Sequence, residues 1–443
     1  MIAENRVTVV GAGLAGSEAA LVLASMGVNV TLFEARPHFI SPAHKTQMPA
    51  ELVCSNSFKA KEPPSAHGLL KEELIELRSP VIKAAKETAV PAGAALAVNR
   101  EHFSKYVLDL IEQEPRIDLI RKEITSLPVN GAPCIVAAGP LASQKLTSWI
   151  QENVSSTKLH FYDAIAPIID ADSIDMSVAF HASRRDAENK DYLNCPFSEE
   201  EYNSFYTALR DADRTNAREF ESMRFFEACL PVEVMAERGY KCLAFGPLRP
   251  VGFVDPRTGK RPYALCQLRK EDAGGDSYNM VGFQTRLTVP QQKIVFRMIP
   301  GLENAEFLRF GSIHRNTYVD SPKLLNYNLS LKKYPHLFMA GQMCGNEGYT
   351  ESIATGHMAA LFAKAKLDGE ILPPAPQETA LGAMLRHVTS STQEPFSPSN
   401  IHFGLFPPLS QELFKKRDGK KRKKELLCSR ALESLRQWNE NIG

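Results

Sequence analysis

The chain has 443 residues, more than the roughly 100 to 200 of a typical domain, so at least two domains are expected. It carries 52 Lys and Arg residues against 51 Asp and Glu residues, and the net charge of +1 does not by itself indicate a nucleic-acid partner. The eight cysteines form no CxxC pair and no regular spacing, which argues against a disulfide framework and favours reduced thiols in the cytoplasm.

The first elements of the chain are typical of a dinucleotide-binding βαβ unit. Residues 6–36 read RVTVVGAGLAGSEAALVLASMGVNVTLFEAR, which predicts a strand, a glycine turn, a helix over 14–26 and a second strand ending at Glu34. The turn carries a G-x-G-x-x-G motif made by Gly11, Gly13 and Gly16. Such glycines allow a tight turn, close approach of a pyrophosphate and close helix packing, and Glu34 is placed to accept hydrogen bonds from an adenosine ribose.

The same segment is also apolar enough to suggest a membrane span. Residues 7–33 hold a single charge, Glu18, over more than the about 20 residues that cross a bilayer. The glycines divide this run into strand, turn, helix and strand, and buried parallel strands have the same composition. We therefore expect no contact with a membrane.

The middle of the chain changes character near residue 180. Before that point, Asn99 is a candidate helix N-cap, and residues 134–140 predict a further parallel strand that leads into a helix near Ser143. After it, polar segments with frequent Pro and Gly continue to about residue 290 and indicate an inserted domain. Within this insertion, Ser198 and Glu201 form a capping box at the start of a helix.

Residues 336–367 return to a strand, a glycine loop and a helix. This segment resembles the second half-motif of two-part flavoproteins, which favours FAD over NAD and makes the flavin domain discontinuous. The predicted fold class is therefore α/β, a discontinuous Rossmann-like FAD-binding domain with an α+β insertion.

The expected flavin-binding residues are Gly11, Gly13, Leu14, Ala15, Gly16, Glu34, Gly341, Glu347 and Tyr349. The expected boundaries are 1–180 for the first part of the FAD-binding domain, 181–290 for the insertion, 291–375 for the return segment and 376–443 for a C-terminal basic tail and helix.

Two of the cysteines lie where a thiol is able to take part in chemistry. Cys54 lies in the polar turn AELVCSNS, shortly after the second strand and near the expected cofactor edge. Cys229 lies in FFEACLPVEVMAERG, just before Pro231 and a short helix. A thiolate at either position could add to an electron-poor ring carbon, and spacing alone does not choose between them.

A basic run near the C-terminus is the strongest charge feature of the chain. Residues 415–424 read KKRDGKKRKK, with eight cations and one acid, a local charge of +7 that leaves about −6 for the rest. Such a run can engage several phosphates, although it can also be a solvated surface. The candidate RNA-binding residues are Lys415, Lys416, Arg417, Lys420, Lys421 and Arg422.

Long motifs in a common order link this sequence to one family. They include VVGAGLAGSEAA, AELVCSNS, FFEACLPVEVMAERG, QLRKEDAGG and HRNTYVDSP. By these motifs the sequence resembles the bacterial folate- and FAD-dependent tRNA (uracil-5-)-methyltransferase family. The glycine motif adds little to the resemblance, because many flavoproteins share it.

The resemblance implies methylation of C5 of a uridine in the T-loop of tRNA, which forms ribothymidine. Methylenetetrahydrofolate would supply the carbon, reduced FAD would carry it as a methylene and provide electrons, and NAD(P)H would reduce the flavin. A cysteine thiolate would add to uracil C6 so that C5 becomes nucleophilic. The implied partners are tRNA and folate, with no stable protein partner.

The resemblance also implies roles for the two thiols. Cys229 matches the family's nucleophile at uracil C6, and Cys54 matches the cysteine held beside the flavin. The sequence departs from the family pattern at Asn346, Ile353 and His357, close to the expected flavin pocket. These departures leave open the same chemistry on a ribosomal RNA uridine. The sequence is also compatible with a flavin oxidoreductase acting on a small molecule and with a non-catalytic RNA-binding flavoprotein. No metal site is predicted.

Overall fold

A computed structural model of the chain defines its helices and strands. The structure describes residues 5–41, 43–129, 131–154, 159–183, 191–215, 230–271, 275–392, 394, 396–410 and 419–442, with the backbone alone at 159–165, 313–316 and 420. Its strands are β1 (Arg6–Val10), β2 (Asn29–Glu34), β3 (Ser57–Ala60), β4 (Ala89–Val90), β5 (Ala95–Val98), β6 (Ile117–Arg121), β7 (Cys134–Val136), β8 (Leu159–Ile165), β9 (Ile168–Asp170), β10 (Phe180–His181), β11 (Tyr192–Phe197), β12 (Ala264–Lys270), β13 (Ser277–Met280), β14 (Phe307–Arg309), β15 (Ser312–Tyr318) and β16 (Leu337–Met339). Its helices are α1 (Leu14–Ser25), α2 (Ala66–Glu76), α3 (Pro80–Glu87), α4 (Arg100–Gln113), α5 (Gln144–Asn153), α6 (Glu199–Asp211), α7 (Val232–Glu237), α8 (Tyr240–Phe245), α9 (Val289–Phe296), α10 (Ser321–Leu324), α11 (Tyr349–Asp368), α12 (Ala380–Ser390) and α13 (Gly419–Ile442).

A five-stranded parallel sheet organises the first of the two large hydrophobic cores that the described residues form. Its strand order is β16–β7–β1–β2–β6, with Val9 of β1 opposite Leu32 on one side and Ile135 on the other. All three side chains are fully buried, as expected for a parallel sheet. β16 completes the edge beside β7 although the insertion separates the two strands in the chain. The predicted α/β, discontinuous Rossmann-like fold is therefore confirmed.

The helices α1 and α11 pack tightly on each other beside this sheet. A Cβ atom added at Gly356 of α11 would lie 2.2 Å from the backbone oxygen of Ala15 in α1, so only glycine allows this approach. Most residues of both helices are buried, because the helices lie in the interior of the domain. The close contact joins the first turn of α1 to the middle of α11, although the two helices are far apart in the chain.

An antiparallel sheet organises the second core. Its order is β10–β11–β12–β13–β9–β14, and α6, α7 and α9 contribute buried apolar residues to the same core. The predicted insertion, 181–290, holds the strands from β11 to β13, whereas β9 and β14 lie outside that range and β10 spans its first boundary. Two smaller antiparallel sheets, β3–β5–β4 and β15–β8, complete the strand pairing of the described residues.

Local capping signals in the sequence agree with the structure. Asn99 accepts hydrogen bonds from the N–H groups of Glu101 and His102 at the start of α4, and Ser143 caps α5. Ser198 and Glu201 form the predicted capping box at α6. These predictions succeed because each cap depends on residues only a few positions apart.

The last helix, α13, packs back onto the first core. It buries Leu427, Ala431, Leu435 and Trp438, while Arg436 pairs with Glu76 of α2. Within the described ranges, no helix is long and apolar enough to cross a membrane. The apolar run at 7–33 is instead the buried βαβ unit.

Candidate cofactor and active site

A pocket lies at the carboxyl ends of the central parallel strands. The segments after β1, β2 and β7 form its walls, and the loop before α11 closes it. β1 lies between β7 and β2, so the pocket is at the point where the strand order reverses, where nucleotides bind in open α/β sheets. Its lining includes seven of the nine predicted flavin-binding residues, namely Gly11, Gly13, Leu14, Ala15, Glu34, Gly341 and Tyr349.

The glycine loop has the geometry that a bound pyrophosphate requires. Gly11 has φ +99°, and a Cβ there would lie 2.5 Å from the oxygen of Ala137. Gly16 is not at the pocket surface but packs on the loop, because its added Cβ would lie 1.7 Å from the oxygen of Gly11. Gly13, by contrast, has no atom within 4 Å of an added Cβ, and α1 begins there with no side-chain cap. The N–H groups of the first turn are thus available to an anion.

Glu34 lies in the pocket within a small buried network. Its Oε2 accepts a hydrogen bond from the N–H of Ala12 at 3.0 Å, and its Oε1 accepts bonds from the backbone and the Nε of Arg36. Burial opposes ionisation, but the bonds and charge of Arg36, with the Ala12 bond, hold the pKa of Glu34 below its usual value. Glu34 is therefore a carboxylate that can accept further hydrogen bonds from a ribose.

Arg36 and Glu51 extend this network and were not expected from the sequence. Arg36 is 4% exposed and donates to Glu51 at 3.1 Å as well as to Glu34. Glu51 also accepts hydrogen bonds from the backbone N–H groups of Lys45 and Thr46, so it fixes the loop that precedes Cys54. Only the proximity of Arg36 to Glu34 in sequence could have suggested this pair.

The return segment supplies the opposite wall. Gly341 has φ +76°, and its N–H donates to the hydroxyl of Thr355 on α11. Asn346 is fully buried and donates to the oxygen of Gly341, so its polar side chain is satisfied within the loop. Glu347 is buried but does not line the pocket, and its N–H donates to Ser399.

Tyr349 connects α11 to the turn that carries Cys54. Its hydroxyl oxygen accepts hydrogen bonds from the backbone N–H of Cys54 at 2.8 Å and from that of Ser55 at 3.1 Å. Tyr349 and Val53 both line the pocket, so the Cys54 turn lies at one end of it. Cys54 itself is half-buried and free. The structure thus brings together the predicted thiol and the predicted return-segment tyrosine, 295 residues apart.

Three arginines hold the same turn from other elements. Arg100 of α4 donates to the oxygen of Leu52 at 2.8 Å, and Arg309 at the end of β14 donates to the oxygen of Val53. Arg269 of β12 donates to the side-chain oxygen of Asn56 at 3.0 Å. β12 and β14 belong to the antiparallel sheet, so the Cys54 turn lies at the junction of the two cores.

The arginines differ in how their charge is compensated. Glu271 binds Arg100 through two hydrogen bonds of 2.7 and 3.2 Å. Burial opposes the charge of Arg100, but Glu271 outweighs this and raises the pKa of the guanidinium. For Arg269 and Arg309, burial dominates and holds the pKa below its ordinary value. The charge of these two side chains is therefore only partly compensated.

Several predicted site residues lie away from this pocket or outside the described residues. Cys229 and the cations Lys415, Lys416 and Arg417 fall outside the described part of the chain. Lys420, Lys421 and Arg422 lie in the first turn of α13, where Lys421 and Arg422 are exposed. Neither Lys421 nor Arg422 is among the residues that line the pocket. The cysteines buried in the two cores are Cys134, Cys195, Cys266, Cys344 and Cys428.

Fold and pocket together define a Rossmann-type dinucleotide-binding protein with an inserted antiparallel sheet. The profile of the family described as glucose inhibited division protein A matches residues 6–371. The chain is 50% identical over 432 residues to the Heliobacterium modesticaldum protein named methylenetetrahydrofolate–tRNA-(uracil-5-)-methyltransferase TrmFO, covering 98% of this chain and 97% of that protein. It is 49% identical over 437 residues to the protein of the same name from Desulforamulus reducens, covering 99% and 98%. The chain therefore belongs to the glucose inhibited division protein A family, in the group formed by these TrmFO relatives.

Solved structures agree on the fold. GidA of Aquifex aeolicus, in two crystal forms, matches with TM-scores of 0.69 and 0.68 at 16% sequence identity. The match covers 98% of this chain and 73% or 76% of the GidA chain. The overall fold of this chain thus recurs in a solved structure of low sequence identity.

Proposed function

We propose that this protein methylates C5 of a uridine in tRNA, with methylenetetrahydrofolate as the one-carbon donor. The observation that carries the proposal is the 50% identity, over 98% of the chain, to a protein named for that reaction. The pocket supports it, because its lining includes Val53, the neighbour of Cys54, and the reaction needs a redox cofactor and a thiol in one place.

FAD is the cofactor that we propose for the pocket. The uncapped N-terminus of α1 and the open space at Gly13 fit a pyrophosphate, and Glu34 fits an adenosine ribose. The N-terminus of α11, with Tyr349, faces the end of the pocket where the ring system would lie. Bound FAD would supply a carrier for the carbon unit and the electrons that reduce it to a methyl group.

The chain itself supplies thiols and charges. We propose that Cys229 adds to uracil C6, and that Cys54 acts beside the cofactor, held there by the hydroxyl of Tyr349. The Cys54 turn is fixed by bonds from several elements, which keeps the thiol in one position. Lys421 and Arg422, with their neighbours in the basic run, are proposed to contact tRNA phosphates.

NAD(P)H is the reductant that we propose, and the cytoplasm is the proposed location. A second G-x-G-x-x-G motif does not occur in the sequence, so NAD(P)H would dock at the flavin edge instead of in its own domain. The cysteines of the described residues are all free, which fits a reducing compartment.

The test uses purified FAD-loaded protein, tRNA transcribed without modification, NADPH and methylenetetrahydrofolate labelled at its methylene carbon, without S-adenosylmethionine. We expect label in 5-methyluridine of the tRNA. Reduced flavin without label in tRNA would lead to the same assay with unmodified ribosomal RNA. Absence of label from both RNAs would contradict the proposal and favour a small-molecule flavoenzyme.

A further inference from the structure

The cations around the Cys54 turn are more numerous than the turn itself requires. Arg269 and Arg309 each use one nitrogen to hold the turn, through Asn56 and Val53. In the part of the chain that the structure describes, their remaining guanidinium nitrogens make no hydrogen bond. None of these nitrogens is among the fully buried side-chain atoms without a partner in the described residues.

Such an arrangement is unfavourable without an anion. Arg269 is only 7% exposed, and a buried guanidinium without a counter-charge is strongly destabilising. Glu271, the carboxylate at this cluster, is already bound by Arg100. Among the described residues, no carboxylate forms an ion pair with Arg269 or Arg309.

The positive charge continues from the interior to the surface. Arg269 is buried, Arg309 is half-buried and Lys45 is exposed. Partial burial is the largest cause that lowers the pKa of Lys45, and the nearby charges of Arg309 and Arg100 lower it further. Glu51, which also acts on Lys45, is paired with Arg36. A graded path of this kind fits a polyanion that reaches inward from solvent better than a small isolated carboxylate.

We propose that Arg269 and Arg309 bind a phosphodiester of the RNA strand beside the target uridine, an inference that rests on the proposed function. The planar guanidinium fork matches the geometry of phosphate oxygens. The phosphate belongs to the same nucleotide as the reacting base, whereas the aminobenzoyl ring separates the carboxylates of a folate from its one-carbon unit. An anchor within the Cys54 turn would thus place the uracil at the thiol end of the pocket.

The first experiment measures binding of a fluorescently labelled, unmodified tRNA transcript to the FAD-loaded protein across a series of salt concentrations. We expect Arg309→Gln and Arg269→Gln each to weaken binding about tenfold and to reduce the salt slope by about 1. Arg309→Lys should keep the salt dependence of binding and lose part of the affinity, because lysine keeps the positive charge but lacks the planar guanidinium. Bound-flavin content reports whether each variant remains folded.

Arg297→Gln is the matched control. Arg297 follows α9, which packs in the second core, and it also donates to a backbone oxygen, that of Ala305, but it binds none of the residues of the Cys54 turn. Its substitution should leave both the affinity and the salt slope unchanged.

A second experiment identifies the phosphate. Neutral methylphosphonate linkages are placed singly on each side of the target uridine. Wild-type protein should lose affinity at one of them, and Arg309→Gln should show no further loss at that linkage.

The outcomes separate the two levels of the proposal. A raised half-saturating concentration of methylenetetrahydrofolate with unchanged RNA binding would overturn the inference and assign the arginines to the folate. Normal affinity and slope in both Gln variants would also overturn it and leave them a purely structural role. Wild-type protein that does not bind or methylate the transcript would overturn the proposed function as well.

Discussion

Gly13 and Gly16 show how two residues of one motif can serve different purposes. Gly16 is needed for packing, since a Cβ there would overlap the oxygen of Gly11. Gly13 has φ −71°, which any residue adopts, and free space where its side chain would be. A substitution at Gly13 therefore tests whether a ligand occupies this space without disturbing the fold.

The two substitutions are expected to separate stability from cofactor binding. Gly16→Ala should lower the free energy of unfolding by about 3 kcal/mol. Gly13→Ala should change it by less than about 0.5 kcal/mol but reduce bound FAD, because the methyl group occupies the pyrophosphate space. Urea unfolding and flavin absorbance check both effects. Full flavin content in Gly13→Ala would show that the pyrophosphate does not lie there.

The thiols give a second prediction at the residue scale. Cys229→Ala should abolish methylation while FAD and tRNA remain bound, because only the addition to uracil C6 is lost. Cys54→Ala should reduce methylation by at least about a hundredfold with RNA affinity retained. Cys242→Ala, at an exposed thiol on α8, is the control and should remain active. Normal turnover by Cys229→Ala would refute the nucleophile assignment.

At the scale of elements, α2 ties the C-terminal helices to the first core through buried charges. Glu73 is fully buried and accepts the N–H groups of Ala380 and Leu381, so it caps α12 from a distant part of the chain. Lys71 is 1% exposed and donates to the oxygens of Ala60 and His67. Burial lowers the pKa of Lys71 to about 8 and raises that of Glu73 to about 8.

Lys71 predicts a specific dependence of stability on pH. Its pKa is about 8 in the folded protein and 10.5 ordinarily, so between these values the unfolded chain binds the extra proton. The unfolding free energy should therefore rise as pH increases from about 8 to 10.5, by up to about 3 kcal/mol. Comparison of wild type with Lys71→Met across this range isolates the effect. Parallel curves for the two proteins would contradict the shifted titration.

Elements also differ in how well sequence predicts them. The helix at 14–25 and the caps Asn99 and Ser198 follow from local patterns, and each is confirmed. The antiparallel sheet was expected only as an insertion, because β9 and β14 pair across a long separation in the chain. The same limit applies to the site. Its glycine motif is local, whereas the arginines around the Cys54 turn meet only through the tertiary fold.

On the scale of the whole molecule, the pocket joins segments from across the chain. Its lining runs from Val10 to Ser352, and both α1 and α11 begin at it. A ligand bound there contacts segments that must be folded together, so binding stabilises the native state by mass action.

FAD should therefore raise the stability of the entire first core. At about one hundred times its Kd, it should add about 2.7 kcal/mol to the unfolding free energy of the flavin-free protein. Thermal unfolding with increasing FAD measures this effect. NAD is the control, because it shares only the adenosine half with FAD. We expect NAD to stabilise less, and a midpoint that does not respond to FAD would exclude the assignment of the pocket.

The late position of β16 has a consequence for biosynthesis. As the ribosome releases the chain from its N-terminus, β1, β2, β6 and β7 emerge long before the strand that completes their sheet. The antiparallel sheet closes at β14, so it can form while the nascent parallel sheet still has an open edge at β7. FAD can be fully enclosed only after residue 352 has left the ribosome. Cofactor loading is therefore a late event in the production of this protein.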